Sequence, residues 1–146
     1  MAGDIVLGGG GFASVCAYAR GWALAETRGV RIRCRGDGRT FKLTVRMDAQ
    51  PDGVEWQHDF VPPPDGQWHD VNLEWSRCTP SWRGCIAPDA EPLAAARICS
   101  FGRMLSRFDD HGVLLPSVLS GQFQLDVHSV TVLRPIAYGL AALQYI

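Results

Sequence analysis

The sequence lacks a dominant charge and any long apolar run, and each absence excludes a class of protein. Its 146 residues include 14 Lys and Arg against 15 Asp and Glu, a formal net charge of −1. Binders of DNA or RNA usually need a net basic surface, so no nucleic-acid partner is predicted. No apolar run reaches the ~18–20 residues of a membrane-spanning helix, so no transmembrane segment is expected.

Signatures of secretion, metal binding and catalysis are also missing. The N-terminus, Met1–Asp4, has neither the basic stretch and apolar core of a signal peptide nor the look of a transit peptide, so an organellar protein would have lost its leader. The cysteines number five, with no C-x-x-C pair, and free thiols in a reducing compartment are the simpler interpretation. Without G-x-S-x-G, H-E-x-x-H or a catalytic Cys–His signature, no enzyme, cofactor or metal site is predicted.

Alternating apolar and polar residues, separated by frequent turns, are what the sequence does contain. The alternating segments are Val30–Cys34, Phe41–Met47, Val54–Phe60, Val71–Trp75 and Ile98–Leu105. A period of two residues is typical of half-buried strands. The pattern therefore predicts an all-β fold, an antiparallel β-sandwich made by residues 1–134 as a single domain.

Two basic segments are predicted to form one positive patch. The turn Gly36–Gly38 between the first two alternating segments predicts a β-hairpin. The basic side chains on its polar face would be Arg31, Arg33, Arg35, Lys42 and Arg46. Glu55 and Asp59, on the next strand, would partly neutralise this face. The patch is therefore either a charge-compensated surface or a contact for an acidic partner subunit or anionic lipid headgroups.

Two segments interrupt the regular alternation. Cys78–Pro92 has little periodicity and predicts an irregular loop. Within it, the candidate protein contacts are Pro80, Trp82, Arg83 and Gly84. Near the end of the chain, the apolar phase of Phe123–Val127 shifts by one residue toward Val130, which predicts a β-bulge.

The C-terminal segment, Pro135–Ile146, carries no charged side chain. A short apolar tail of this kind either packs on its own domain or docks into a partner. Residues 135–146 are therefore predicted to be a docking tail. Its candidate contacts are Ile136, Tyr138, Leu140, Leu143, Tyr145 and Ile146.

Glycines near the N-terminus imitate a dinucleotide-binding motif. Gly8–Ala13 satisfies G-x-G-x-x-A and follows an apolar triplet, as in a βαβ unit. The segment Val30–Cys34 carries Arg31 and Arg33, with Arg35 directly after it, and arginines along one face do not fit a parallel strand that is covered on both faces. Ser14–Arg28 contains Gly21 and is a poor helix, and no further βαβ pattern follows. A remnant oxidoreductase that binds NAD(P) is the weakest of three functional hypotheses.

The tryptophans support a second hypothesis, a carbohydrate-binding module, because aromatic rings stack on sugars. Trp56 and Trp75 lie on apolar strand faces and are predicted to be core residues. Trp22, Trp68 and Trp82 lie in or beside turns and are the candidate sugar contacts.

A series of short segments occurs in a fixed order along about residues 4–133. The segments are Gly10–Val15, Gly29–Leu43, Trp56–Phe60, Trp68, Pro80–Gly84, Arg97–Gly102 and Gly121–Val127. The series resembles the complex I intermediate-associated protein 30 family. Departures are Cys16, where members often carry Arg, Trp82 in place of a common Phe, a long loop at Asp109–Ser120 and the extra tail.

The resemblance implies a galactose-binding-like jelly roll, akin to carbohydrate-binding modules, in proteins not known as catalysts. It implies a role in assembling mitochondrial respiratory complex I, and plant and algal relatives serve photosystem biogenesis. From it we expect a non-enzymatic, protein-binding accessory subunit or assembly factor of a large electron-transfer complex. Its partners would be protein subunits, and its place would be peripheral on the inner mitochondrial or thylakoid membrane, with the host complex left open.

Overall fold

The computed structural model describes residues 1–8, 11–18 and 21–135. Its strands are β1 (Ala2–Ile5), β2 (Phe12–Tyr18), β3 (Gly29–Gly36), β4 (Phe41–Arg46), β5 (Glu55–Phe60), β6 (His69–Glu74), β7 (Thr79–Trp82), β8 (Cys85–Ile86), β9 (Ser100–Ser106) and β10 (Gly121–Leu133). They form an antiparallel four-stranded sheet, β1-β10-β3-β6, and an antiparallel six-stranded sheet, β2-β9-β4-β5-β7-β8. The predicted antiparallel β-sandwich is confirmed.

Helical structure in these residues consists of two single 3-10 turns, Trp75–Arg77 and Ala95–Arg97. Within the described ranges, no helix has the length and hydropathy needed to cross a bilayer.

The core lies between the two sheets, where the alternating apolar side chains meet. Val30 and Ile32 of β3 face inward from the four-stranded sheet, and Phe41 and Val45 of β4 face inward from the other; all four are fully buried. Burying one such side chain stabilises the fold by about 1.5–3 kcal/mol. The core also takes in Trp56 and Trp75, as predicted.

The predicted hairpin between β3 and β4 is wrong, because the two strands belong to different sheets. β3 lies between β10 and β6, and β4 lies between β9 and β5. Alternation and a glycine turn at Gly36–Gly38 fit a hairpin and a crossover between layers equally well. The chain takes the crossover, so the apolar faces of β3 and β4 oppose each other across the core.

The structure also contradicts the βαβ unit on which the dinucleotide-binding hypothesis rests. Residues Phe12–Tyr18, where a phosphate-binding helix would have to begin, form strand β2. β1 pairs antiparallel with β10 rather than parallel with β3. The strands on either side of the glycine-rich segment, β1 and β2, therefore belong to different sheets.

Local irregularities match the sequence prediction in one place and contradict it in another. The pairing of β10 with β3 shifts register between Val127 and Ser129, which confirms the bulge. By contrast, the predicted loop after Cys78 contains a β-hairpin, β7–β8, whose turn is Arg83 (φ 50°) and Gly84 (φ 79°). Two successive positive φ values are typical of the tight turns that suit the twist of a hairpin.

Candidate functional site

The predicted positive patch is divided between two surfaces. Arg31, Arg33 and Arg35 share the outer face of the four-stranded sheet. Lys42 and Arg46 of β4 lie on the outer face of the six-stranded sheet, on the opposite side of the sandwich. No combined basic surface exists, because β3 and β4 are not neighbours.

Acidic and amide groups on neighbouring strands engage the three arginines of β3. Arg33 pairs with Asp70 of β6 at 3.6 Å, and Arg35 pairs with Asp126 of β10 at 2.9 Å. Arg31 donates a hydrogen bond to Asn72 Oδ1 at 3.0 Å. The hydrogen bond from Arg35 holds the pKa of Asp126 below its usual value. This face is charge-compensated, although by carboxylates other than the predicted Glu55 and Asp59.

A groove on the outer face of the six-stranded sheet has a volume of about 660 Å³. The edge strand β2 forms one side, through the outward side chains of Phe12, Ser14, Cys16 and Tyr18. The turn of the β7–β8 hairpin, together with Pro51–Gly53, forms the other side. We call this feature the sheet groove.

The floor of the sheet groove contains Met104 of β9 and two buried polar side chains. Ser100 of β9 and Thr44 of β4 are buried there, although their positions face away from the core. Gly102 of β9 lies opposite Thr44, and a Cβ on Gly102 would overlap the Thr44 hydroxyl. Glycine is therefore required at this point for the floor to keep its shape.

Two ion pairs lie beside this floor. Arg46 pairs with Glu55 at 2.9 Å, and Lys42 pairs with Asp59 at 2.9 Å. Asp59 also accepts a hydrogen bond from the backbone N–H of Asp110, which ties the loop after β9 to the sheet. Burial raises the pKa of the Asp59 carboxyl, and this effect outweighs the opposing effect of Lys42.

The hairpin rim, which we define as Trp82–Gly84 at the turn of the β7–β8 hairpin, contains three of the predicted contact residues. The Trp82 indole N–H donates to the Asp52 carbonyl at 2.9 Å, and Arg83 pairs with the Asp52 carboxylate at 3.0 Å. The Arg83 guanidinium lies 4.9 Å from the centre of the Trp82 ring, within cation–π range. Gly84 lines the groove with Arg83, whereas Pro80 lies within β7, opposite Trp56.

The three tryptophans proposed as sugar contacts do not form one site. Trp22 packs edge-on against Phe101 at 4.8 Å, on the edge of the core. Trp68 lies on the four-stranded sheet beside Arg35, and only Trp82 lies near the sheet groove.

The groove has the chemistry of a binding surface. It offers hydroxyl groups, aromatic rings and an internally compensated ion pair. No group of three His, Cys, Asp or Glu side chains within residues 1–8, 11–18 and 21–135 could hold a metal ion. Cys16 is a free, exposed cysteine in the groove. Cys78, also free, lies outside the groove, and burial raises the pKa of its thiol to about 12, which disfavours the reactive thiolate.

Sequence analysis missed the β2 side of the groove. Phe12–Tyr18 carries no regular apolar and polar alternation, so the local pattern does not show which of its side chains face outward. The predicted tail contacts, Ile136 to Ile146, lie outside the described residues.

The two antiparallel sheets, with an open groove on one outer face, place the chain among the jelly-roll β-sandwich domains. Within that class, a family model identifies the chain: complex I intermediate-associated protein 30 matches residues 1–127. The chain belongs to this family. No curated protein sequence matches it.

Solved structures show the same fold. A family 11 carbohydrate-binding module of a cellulosomal cellulase of Clostridium thermocellum is 14% identical with a TM-score of 0.60, covering 92% of this chain and 82% of that one. The same module in complex with a β-1,3-1,4-mixed-linked tetrasaccharide is 15% identical with a TM-score of 0.56, covering 92% and 83%. At such identity the likeness concerns the fold alone.

Proposed function

We propose that this protein is a non-catalytic, protein-binding accessory subunit or assembly factor of a large organellar electron-transfer complex, either respiratory complex I or a photosystem. The family match over residues 1–127 carries the proposal, since the family is defined by its association with complex I intermediates. Its partners would be protein subunits of the complex. Its location would be peripheral, on the inner mitochondrial or the thylakoid membrane.

The hairpin rim is the proposed protein contact, and its geometry supports that role. Trp82 is about half exposed (48%), although a hydrogen bond to Asp52 and the stacked Arg83 fix its ring. Tryptophan and arginine are the side chains most enriched at energetic hot spots, and a fixed ring loses little entropy on binding. The tail, residues 135–146, is a second proposed contact on the basis of its uncharged apolar sequence.

Native gel electrophoresis of gently solubilised organelle membranes, with the chain located by mass spectrometry, tests the proposal. Migration with a finished respiratory complex or photosystem would make it an accessory subunit and would identify the host. Migration with smaller, immature species would make it an assembly factor. Migration as a free chain of 16.0 kDa would contradict both roles.

The same gel tests the contact residues. Trp82→Ala removes a proposed hot-spot ring, so the affinity for the complex should fall by roughly 30-fold, the equivalent of about 2 kcal/mol, and less of the chain should migrate with the complex. Trp68→Ala is the matched control, because Trp68 is also partly exposed but lies on the other sheet.

Deleting Pro135–Ile146 should also release the chain while the sandwich stays folded. If both altered chains stay bound like the wild type, the proposed contacts are wrong.

A second function, carbohydrate binding, is supported by the sheet groove. It presents Phe12 and Tyr18 as rings, with hydroxyl groups and an ion pair beside them. Aromatic faces with a few placed polar groups are the usual build of a ligand pocket. Calorimetry with a mixed-linked glucan tetrasaccharide tests this function: binding that Tyr18→Ala abolishes would support it, and no heat of binding would dismiss this ligand.

A further inference from the structure

Strand β2 is exposed along nearly its whole length. It is the first strand of the six-stranded sheet, and within residues 1–8, 11–18 and 21–135 only β9 pairs with it. Six of its seven residues are exposed, and only Ala13 is half-buried. The other side of β2 therefore has no ladder partner in the described part of the chain, and it can serve as a template for a further strand.

The sequence of β2, Phe-Ala-Ser-Val-Cys-Ala-Tyr, reads almost the same in both directions. An aromatic residue stands at each end, with an alanine next to it. Ser14 and Cys16, which are close in size, flank the central Val15. If β2 of a second copy pairs antiparallel about a two-fold axis at Val15, each residue therefore meets one of similar shape.

Both faces of β2 suit this pairing. On the outer face, Phe12 of each copy would lie opposite Tyr18 of the other, and aromatic cross-strand pairs stabilise a sheet. On the inner face, Val15 lies in one row with Arg103 and the buried Leu43, yet it is 43% exposed because it is at the edge. In the pair, the two Val15 side chains would cover each other at the axis.

Charge does not oppose the contact between two copies. Identical strands that meet about a two-fold axis bring their own like charges together, which destabilises the pair. Strand β2 has no charged side chain, so this repulsion does not arise. The cation nearest to the axis in the row of Val15 is Arg103, one strand further into each sheet.

We propose that β2 pairs antiparallel with β2 of a second copy about a two-fold axis at Val15, which joins two six-stranded sheets into one sheet of twelve strands. The outer faces of both copies then lie on the same side of this sheet, so the two sheet grooves meet at the axis. Phe12 and Tyr18 of each copy border the groove of the other. The dimer goes beyond the subunit role and does not depend on it.

Disulfide formation in the full chain tests the register. Residue 14 of one copy would lie directly opposite residue 16 of the other, with Cα atoms about 4.5–5.5 Å apart, which a disulfide can span. Ser14→Cys should therefore form a disulfide with Cys16 of the second copy under mild oxidation, and mass spectrometry identifies it. In the wild type the two Cys16 residues would be diagonal neighbours about 7–8 Å apart, which is too far.

The matched control exchanges the two residues by combining Ser14→Cys with Cys16→Ser. Each copy then has one cysteine on β2, as in the wild type, and the two would again be diagonal neighbours. Covalent dimer linked through β2 should be at least about tenfold less abundant than with Ser14→Cys alone. Equal linkage in both variants would contradict the register.

Analytical ultracentrifugation of the purified chain tests the contact itself. The mass should rise from 16.0 kDa toward twice that value with concentration, and the dilute chain should be a monomer because one strand per copy is a small interface. Val15→Lys should weaken association by at least about tenfold, since two ammonium groups would meet at the axis. Val130→Lys, at a valine of the other sheet that is 49% exposed, is the matched control and should associate like the wild type.

Circular dichroism should show both lysine variants folded. A wild-type chain that stays monomeric at every concentration overturns the proposal, and so does unchanged association of Val15→Lys. Larger species without a dimer would show pairing outside the two-fold register and would also overturn it. All of these results come from the purified chain, whereas the subunit role fails when the chain is absent from every complex on the native gel, so the two failures are distinguishable.

Discussion

Replacing Lys42 with Ala is expected to destabilise the domain by about 3–5 kcal/mol. The Lys42 residue is only 2% exposed, and its ammonium group lies 2.9 Å from Asp59. Removing one partner of a buried ion pair leaves the other as an uncompensated charge in a poorly solvated site. The damage should extend to the loop after β9, because Asp59 also accepts the backbone N–H of Asp110.

Arg33→Ala is the matched control for this experiment. Arg33 also pairs with an aspartate, Asp70, but at 3.6 Å and with both side chains nearly half exposed. An exposed pair is worth about 0–1 kcal/mol, so Arg33→Ala should change the free energy of unfolding by no more than that. Urea unfolding of both variants measures the two losses in unfolding free energy. Similar losses would show that the Lys42–Asp59 pair behaves like an exposed ion pair.

The loss on removing Lys42 should also depend on pH. Burial raises the pKa of Asp59, so the folded state keeps a proton that the unfolded state releases. The stabilisation that the Asp59 carboxyl contributes is fully present below its ordinary pKa. It is lost as the pH rises through the raised pKa of the folded state. Without Lys42 the pKa rises further. Lys42→Ala should therefore lose more stability at neutral pH than at about pH 4, and an equal loss would contradict this assignment.

Phe41→Ala is also expected to lower the free energy of unfolding by about 3–5 kcal/mol, but for a different reason. Phe41 has no exposed surface, and its neighbours on the two adjacent strands are Phe60 and Leu105. Truncating it removes buried apolar area and leaves a cavity that the rigid strands on either side cannot close. The ring also lies 6.2 Å from that of Phe60, so an aromatic pair is lost with it.

Phe12→Ala is the matched control for Phe41→Ala, because it truncates an exposed ring of the same residue type. Phe12 is 65% exposed on β2, so its truncation should change the free energy of unfolding by no more than about 0.5 kcal/mol. Thermal or urea unfolding compares the two variants under one condition. If Phe12→Ala were as damaging as Phe41→Ala, the ring would be part of the core.

The sequence predicts the strands of this fold better than it predicts their partners. Alternation at β3, β4 and β5 reports which side chains face inward, because that is a local property of the pleat. Whether β3 joins β4 in a hairpin or crosses to the other sheet depends on contacts far along the chain, such as those of β10. The β7–β8 hairpin was missed because its turn, Arg83-Gly84, is not among the usual Asn-Gly or Asp-Gly pairs.

The sheet groove was hidden from sequence analysis for a related reason. Lys42, Thr44 and Gln57 occupy polar positions that are typical of a solvated face. They are buried on the outer side of the sheet all the same. Hydrogen bonds between Asp59 and Asp110 tie the loop after β9 to this side of the sheet, and the local pattern does not encode the path of that loop. Trp82 and Arg83 of the hairpin rim are candidate contacts on sequence alone, because they are conspicuous side chains in a segment without periodicity.

Strand β2 forms an edge of the six-stranded sheet, and Phe12–Tyr18 includes no charged residue and no proline. Natural edge strands commonly carry lysine or proline, which prevent pairing with other chains. A free β2 edge therefore puts one copy of this chain at risk of pairing edge to edge with another, and aggregation should rise with the concentration of the chain.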